Sequence, residues 1–233
     1  MPISDSSVKL VSSLSHESPY FKEPAEALFN AELRITGDLL NDIRVHNVAG
    51  EIVEFGVFRG DWLNHLHSLM EEAGVQRQIW GFDSFQGLSA PSEECDDAYW
   101  KEGMFAAGLE EVRQRIRADE RPAFRLIPGF FAESLVGEAA GELGPVCLAR
   151  IDCDIYQPTR ECLAYLSHRL SHGSVLVFDD WSHRLDKGET RAFFEWAPTV
   201  PHLEFEFLFL GIWDHLVLRV WHRGQPRWAG ITP

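Results

Sequence analysis

The sequence lacks the features of a membrane-spanning or exported chain. No apolar run approaches the roughly eighteen residues that a spanning helix needs. The N-terminal segment has no basic start followed by an apolar stretch, so we expect no secretion signal. The four cysteines, at positions 95, 147, 153 and 162, fit no zinc-ligand spacing. Together these features predict a cytoplasmic protein with reduced thiols.

Basic residues are scarce. The chain has 21 Lys and Arg against 36 Asp and Glu, a formal net charge of −15. Binding to phosphate backbones or anionic lipid surfaces needs a basic face, so we expect neither nucleic acid nor a membrane as partner. The charge by itself does not identify the partner that is bound instead.

No repeat, linker or low-complexity tract divides the 233 residues. Residues 1–45 are expected to form a loose lead-in and a helix from Pro24 to about Val45, and residues 46–233 the main domain. There, runs typical of buried strands (IVEF, QIWGF, AFRLIP, VCLARI, SVLVF) alternate with helix-like segments, and a polar loop is expected from Gln86 to about Lys101. This order predicts a doubly wound α/β fold with a mostly parallel sheet and helices on both faces. Two final strand-like runs, joined by GIWD, predict a closing antiparallel hairpin.

Four carboxylates follow two of the predicted strands. Asp152 and Asp154 end one apolar run, and Asp179 and Asp180 end the next. The 27 positions from 152 to 179 suffice for one helical crossover between parallel neighbours. Oxygen ligands suit hard divalent cations, so Asp152, Asp179 and Asp180 are predicted metal ligands. In the alternative, Asp154 caps a helix beginning near Pro158 and Asp180 serves the following turn.

A glycine turn follows the first predicted strand. Glu54, Gly56 and Gly60 lie between that strand and a helix, where glycine lets the backbone approach a ligand. Asp83 ends the next strand, a position from which an acidic side chain can hold ribose hydroxyls. The pattern also fits an ordinary tight turn, and it lacks the dinucleotide fingerprint of hydride-transferring enzymes.

Two histidines and a tryptophan have no assigned role. His172 and His183 could be bases or ligands, although lone histidines near strand ends are more often structural. Trp181 directly follows the Asp pair and could belong to the core or to a binding wall.

Five motifs in order resemble the macrocin O-methyltransferase family: EFGVFRGDW, GFDSFQGL, PGFFAESL, ARIDCDIYQPT and VFDDW. The resemblance covers roughly residues 50–200 and implies a class I, Rossmann-like methyltransferase fold. It implies S-adenosylmethionine and Mg²⁺ (or another divalent cation) as cofactors, a small and possibly glycosylated natural product as acceptor, and a possible homodimer. The chain departs from the family in its short N-terminal region and in the loop after VFDDW.

Carried over by position, the resemblance implies a cofactor-binding set and a metal-binding set. The cofactor set is Glu54, Gly56, Gly60, Asp83, Ser84, Phe85, Gly129, Phe130, Phe131 and Asp152, and the metal set is Asp152, Asp179 and Asp180. Mg²⁺ would lower the pKa of the acceptor hydroxyl and orient it, and Asp152 is the expected base. Two alternatives remain: a catechol-type methyltransferase acting on an aromatic diol, and a cofactor-binding module without catalysis.

Overall fold

The computed structural model describes residues 24–182, 184–210 and 215–228. The chain forms two compact units that divide after Leu40, within helix α1 (Pro24–Val45). The second unit, from Asn41 onward, carries all the features below. The domain boundary expected after residue 45 stays a prediction.

Seven strands and a set of helices alternate along the described chain. The strands are β1 (Glu51–Phe55), β2 (Ile79–Asp83), β3 (Phe124–Pro128), β4 (Val146–Ile151), β5 (Leu170–Phe178), β6 (Leu203–Leu210) and β7 (Leu216–His222). After α1, the helices are α2 (Asp61–Ala73), α3 (Leu109–Ile116), α4 (Phe131–Ser134), α5 (Glu138–Gly141), α6 (Tyr156–Leu166) and α7 (Gly188–Trp196). A short 3-10 turn, Ala197–Thr199, follows α7.

The strands form one sheet in the order β3-β2-β1-β4-β5-β7-β6. The first five in this order are parallel, and β7 pairs antiparallel with both β5 and β6. The chain winds outward from β1 to β3 and then returns to β4 on the other side of β1. Because such crossovers are right-handed, this reversal places helices on both faces of the sheet. The predicted doubly wound fold with a closing hairpin is confirmed, while the predicted GIWD turn lies outside the described residues.

The central strands are apolar without alternation because helices cover both of their faces. Every residue of β2 and β4 is buried, and Phe55, Phe82 and Phe178 are fully enclosed. Phe55 and Phe82 stack with ring centroids 5.4 Å apart. The ends of β1, β2, β4 and β5 therefore emerge from one continuous core.

Helix α6 begins earlier than predicted. It starts at Tyr156, not near Pro158, and Ile155 is its N-cap without a side-chain cap bond. Proline has no amide hydrogen to lose in the first helical turn, so the helix extends on the N-terminal side of Pro158. The helix-cap role considered for Asp154 is therefore wrong, because Ile155 occupies the N-cap position.

No helix in the described part of the chain is both long and apolar enough to cross a membrane.

Candidate active site

A cleft of about 640 Å³ opens at the carboxyl ends of the parallel strands. It lies where the strand order reverses between β1 and β4, the position at which doubly wound sheets bind ligands. The predicted site residues that line it are Gly56, Asp83, Ser84, Phe130, Phe131, Asp152, Asp179 and Asp180. Residues far apart in sequence meet there because parallel strands end at one edge of the sheet.

Four predicted site residues do not line the cleft: Glu54, Gly60, Phe85 and Gly129. Gly60 precedes α2 at φ 78°, and a β-carbon there would lie 2.6 Å from a methyl group of Ile116 on α3. Phe85 is 8% exposed, and its amide donates to the Asp83 carboxylate at 2.6 Å. These two residues shape the neighbouring turns, and their contact with a cofactor stays a prediction.

Three carboxylates converge tightly at one end of the cleft. One oxygen each from Asp152, Asp154 and Asp180 lies within 4.8 Å of the others. The backbone of Asp154 is left-handed, with φ 61°, in the turn between β4 and α6. The predicted ligand set contains Asp179 where this group contains Asp154, so the choice of third ligand stays a prediction.

Asp179 lies beside the group but contacts basic side chains of the protein. Its carboxylate accepts a hydrogen bond from Arg150 at 2.6 Å and lies 3.2 Å from Nε2 of His215. Arg150 also donates to Asp152 at 2.6 Å and to Glu54 at 2.7 Å. One guanidinium thus joins carboxylates from the ends of three adjacent strands, and the sequence pattern did not reveal it.

The carboxylates have abnormally high proton affinity. Burial, reinforced by the charge of Asp180, raises the pKa of Asp154 to about 8, and burial together with Asp179 raises the pKa of Asp180 to about 6. Burial also raises the pKa of Asp152, against the influence of Arg150. Near neutral pH, such a group must retain protons or bind a cation. An all-oxygen set of this spacing fits a hard divalent ion such as Mg²⁺.

Glu54 is held beneath this group and does not face the cleft. It is 1% exposed and bonded to Arg150, and burial raises its pKa to about 8. Contact between Glu54 and a cofactor stays a prediction.

Glu189, in the first turn of α7, clamps the two acidic turns together. It is fully buried, and its two oxygens accept the amide of Cys153 at 3.0 Å and the amide of Asp180 at 3.2 Å. The turn after β4 is thereby linked to the turn after β5. In the sequence Glu189 resembles an ordinary acidic residue near a helix start, so nothing distinguished it.

The glycine turn after β1 is organised by Asp83. One oxygen of Asp83 accepts the amides of Val57 at 2.7 Å and Phe58 at 3.0 Å, and the other accepts that of Phe85. Gly56 has φ 88°, and a β-carbon there would lie 1.7 Å from the carbonyl oxygen of Asp152. This geometry requires glycine and shows that β1 and β4 approach closely at the cleft floor. Three backbone donors already occupy Asp83, and its ribose contact stays a prediction.

The segment after β2, expected to be a polar loop, supplies an apolar wall. Leu88, Tyr99, Trp100, Met104 and Phe105 from this segment line the cleft. The predicted loop, Gln86 to about Lys101, contains no helix or strand, and Leu88, Tyr99 and Trp100 within its polar sequence line the cleft. The pair Tyr99-Trp100 was the available signal within the predicted loop, outweighed by the charged residues around it, and Met104 and Phe105 lie beyond its predicted end.

The unassigned residues fall outside the cleft, as far as the structure describes them. His172 accepts the amide of His222 at 3.0 Å through Nδ1, and its Nε2 lies 3.1 Å from the carbonyl oxygen of Pro226, a structural pairing. Trp181 is partly buried and packs edge to face on Phe178 of the core, with ring centroids 5.4 Å apart. His183 lies outside the described residues.

The strand order and the ligand cleft at its reversal point define a class I methyltransferase fold. Residues 30–195 match the macrocin-O-methyltransferase (TylF) family, and the chain belongs to that family. The solved O-methyltransferase NovP shares the fold, with a TM-score of 0.69, 24% identity, and coverage of 83% of this chain and 80% of its own. The calicheamicin methyltransferase CalS11 has a TM-score of 0.67, 23% identity, and coverage of 97% and 95%.

Two relatives from Streptomyces align with more than half of the chain. The 8-demethyl-8-(2,3-dimethoxy-alpha-L-rhamnosyl)-tetracenomycin-C 4'-O-methyltransferase of Streptomyces olivaceus is 32% identical over 146 residues, 58% of this chain and 54% of the relative. The demethyldecarbamoylnovobiocin O-methyltransferase of Streptomyces niveus is 29% identical over 153 residues, 61% and 56% respectively. The match thus spans about half the length of these relatives.

Proposed function

We propose that the protein is an S-adenosylmethionine-dependent and divalent-metal-dependent O-methyltransferase acting on a hydroxyl of a glycosylated natural product. The observation that carries this proposal is the carboxylate group Asp152, Asp154 and Asp180 beside a glycine turn in one cleft. Family membership supports the reaction type, and the names of the Streptomyces relatives support the acceptor class.

The cofactor half of the cleft would be formed by the ends of β1, β2 and β3. Gly56 would allow close approach, Asp83 and Ser84 would face the ribose, and Phe130 and Phe131 would flank the adenine. S-adenosylmethionine, when bound, supplies the methyl group on a positively charged sulfur. The acidic residues nearby would favour that charge.

The metal half would be formed by Asp152 and Asp180, with either Asp154 or Asp179 as a third ligand. A divalent cation held there supplies Lewis acidity to the acceptor hydroxyl. Asp179 is a predicted ligand, but its bonds to Arg150 would have to be shared with the ion. Asp154 has no such bond described and belongs to the converging group.

Asp152 would accept the proton of the acceptor hydroxyl. It lies at the end of β4, between the cofactor half and the other carboxylates. Asp154 competes for this role because its carboxylate belongs to the same converging group. Comparison of Asn variants at the two positions separates these assignments.

Metal removal is the direct test of the proposed reaction. Turnover with S-adenosylmethionine and glycoside acceptors should vanish in excess EDTA and return when Mg²⁺ is restored. Undiminished turnover in EDTA would refute the metal-dependent mechanism but not methyl transfer itself. Calorimetry with S-adenosylmethionine and with NAD tests the cofactor class, and binding of NAD alone would refute the proposal entirely.

A catechol-type activity is the second candidate, favoured by the aromatic wall of the cleft. A vicinal aromatic diol could chelate the same ion and stack on the same side chains. Turnover on a simple catechol that exceeds turnover on glycosides would favour this alternative.

A further inference from the structure

We propose that the acceptor is a finished glycoside with a flat, uncharged aglycone, and that the protein does not methylate the sugar while it is attached to a nucleoside diphosphate. This inference rests on the proposed function and specifies its substrate class. It also orders the reactions, because a glycosyl transfer must then precede the methylation and supply its substrate.

The first observation is an aromatic rim, defined as Phe58, Tyr99, Trp100, Met104 and Phe105, all lining the cleft. Its rings contact one another edge to face: Phe58 and Phe105 at 5.7 Å, Phe105 and Trp100 at 6.2 Å, and Trp100 and Tyr99 at 5.0 Å between centroids. Tyr99 is 66% exposed and Phe105 41% exposed. Large apolar side chains that line a cleft and remain exposed lie at its mouth, where they can bind an apolar ligand surface.

The second observation is that the rim is held in place before any ligand binds. The amide of Leu88 donates to the carbonyl of Met104 at 2.9 Å and closes the base of the loop. Asp96 accepts the amide of Tyr156 at 2.7 Å, which fastens the loop to the start of α6. Lys187 donates to three backbone carbonyl oxygens of the loop at 2.8–3.1 Å. A preorganised apolar surface loses little entropy when a rigid aglycone packs on it.

The third observation is the charge of the cleft. The described residues that line it include no lysine, arginine or histidine, whereas six are acidic: Asp83, Asp152, Asp154, Glu161, Asp179 and Asp180. A diphosphate carries negative charge and is normally bound by arginine, lysine or clustered amides. The Arg150 guanidinium, beside the carboxylates, is engaged with three of them. Arg59 is exposed, with its guanidinium 4.8 Å from the Phe58 ring centre, and does not line the cleft.

These observations together assign the two ends of the acceptor. Its sugar hydroxyl would reach the carboxylate group, and its aglycone would rest on the aromatic rim. An uncharged aglycone matches the rim, whereas the diphosphate of a nucleotide sugar would find no lysine, arginine or histidine among the described lining residues to pair with.

The test measures binding with S-adenosylhomocysteine and Mg²⁺ present, using isothermal calorimetry. Rhamnose, glucose and galactose are each presented as a 4-nitrophenyl glycoside, a methyl glycoside and a nucleoside-diphosphate sugar. For at least one sugar the aryl glycoside should bind about tenfold more tightly than the methyl glycoside, and the nucleotide form should bind most weakly. Tightest binding of a nucleotide sugar, or no gain from the aryl group with any sugar, would overturn the inference.

Variants of the rim locate the effect. Phe105→Ser and Tyr99→Ser should each remove most of the aryl advantage and leave affinity for S-adenosylhomocysteine and methyl glycosides unchanged. Phe105→Tyr should retain it. Val136→Ser is the matched control, since Val136 is an apolar residue, 83% exposed, that does not line the cleft. An equal loss of S-adenosylhomocysteine affinity in the rim variants would assign the rim to the cofactor and overturn the inference.

The outcomes separate this inference from the proposed function. A protein that binds S-adenosylhomocysteine and methylates nucleotide sugars retains the proposed reaction type and disproves only the substrate class. A protein that does not bind S-adenosylhomocysteine disproves both.

Discussion

Two buried arginines on the same face of the sheet have opposite surroundings. Arg150 pairs in register with Val177 of β5, and Arg219 pairs with Val175, two positions earlier on the same strand. They are 8% and 6% exposed respectively. Arg150 contacts three carboxylates, two of which line the cleft, whereas Arg219 has Asp42 as its described carboxylate partner.

The Arg219 cluster is balanced and covered. Asp42 also contacts His46 at 3.1 Å, and Trp221 and Trp228 lie 5.8 and 5.5 Å from the Arg219 guanidinium. One positive and one negative group beneath aromatic rings form a structural ion pair. At Arg150 the carboxylates outnumber the cation and several face a cleft. Such an excess of like charge opposes folding, so it indicates a site that a ligand completes.

The largest expected effect is loss of turnover when the unbalanced cluster, Arg150 with its surrounding carboxylates, is changed. Asp152→Asn should lower turnover about 10³-fold, because several kcal/mol of transition-state stabilisation would depend on the proposed metal ligand and base. Initial-rate measurements at saturating cofactor and Mg²⁺ check this. Asp42→Asn, at the balanced cluster, is the matched control and should keep its turnover per folded molecule at low temperature. An inactive Asp154→Asn beside an active Asp152→Asn would instead assign the base to Asp154.

The next effect is loss of stability at the balanced cluster. Removing one partner of a buried ion pair costs about 3–5 kcal/mol because the other charge is left uncompensated. Asp42→Asn should therefore lower the Tm by about 10 °C in calorimetry. Asp152→Asn should leave the Tm of the metal-free protein equal or higher, since it removes one of several repelling charges. A larger loss of Tm in Asp152→Asn than in Asp42→Asn would reverse the roles assigned to the two clusters.

The third effect is a pH dependence confined to the unbalanced cluster. Folding raises the pKa of Asp154 from 3.8 to about 8, of Glu54 from 4.5 to about 8, and of Asp180 from 3.8 to about 6. Groups with raised pKa stabilise the fold at low pH and lose that contribution as pH rises through the folded value. The Tm of the metal-free protein, measured by calorimetry, should therefore fall by several degrees between about pH 5 and about pH 8.

Magnesium and a double variant provide the controls for this pH effect. Mg²⁺ should raise the Tm more at pH 8 than at pH 5, because protons compete with the ion for the carboxylates. The double variant Asp154→Asn and Asp180→Asn should show a smaller slope with pH. A Tm of the metal-free protein that is highest at pH 8 would contradict the assignment.

The smallest effect is expected at the clamp between the acidic turns. Glu189→Gln replaces one acceptor oxygen by an amide group that cannot accept from a backbone amide. Loss of one such bond should weaken Mg²⁺ binding about tenfold in calorimetry, a change on the order of 1.4 kcal/mol. The affinity for S-adenosylhomocysteine, measured without metal, should stay unchanged. A variant that had merely unfolded would lose this affinity as well. Glu195→Gln, on the exposed side of α7, is the matched control.

Much of the fold was predictable because its signals are local. Apolar runs without alternation, ended by glycine or aspartate, indicate strands buried on both faces, as in β2 and β4. Asp83, Asp152 and Asp179 were correctly expected at strand ends because residue order alone fixes which side chains follow a strand. The start of α6 was misjudged, since a proline in the first turn resembles a helix start in sequence.

The sequence by itself determined the sheet class and the acidic character of its carboxyl edge, because both follow from short-range patterns of residue type. Only the tertiary structure decided which carboxylates converge. Asp154 joins the group because its left-handed backbone returns the chain at the end of β4, and Asp179 is held by Arg150 from the strand beside it. The aromatic rim and the Glu189 clamp likewise exist only after folding, because they depend on contacts between segments that are distant along the chain.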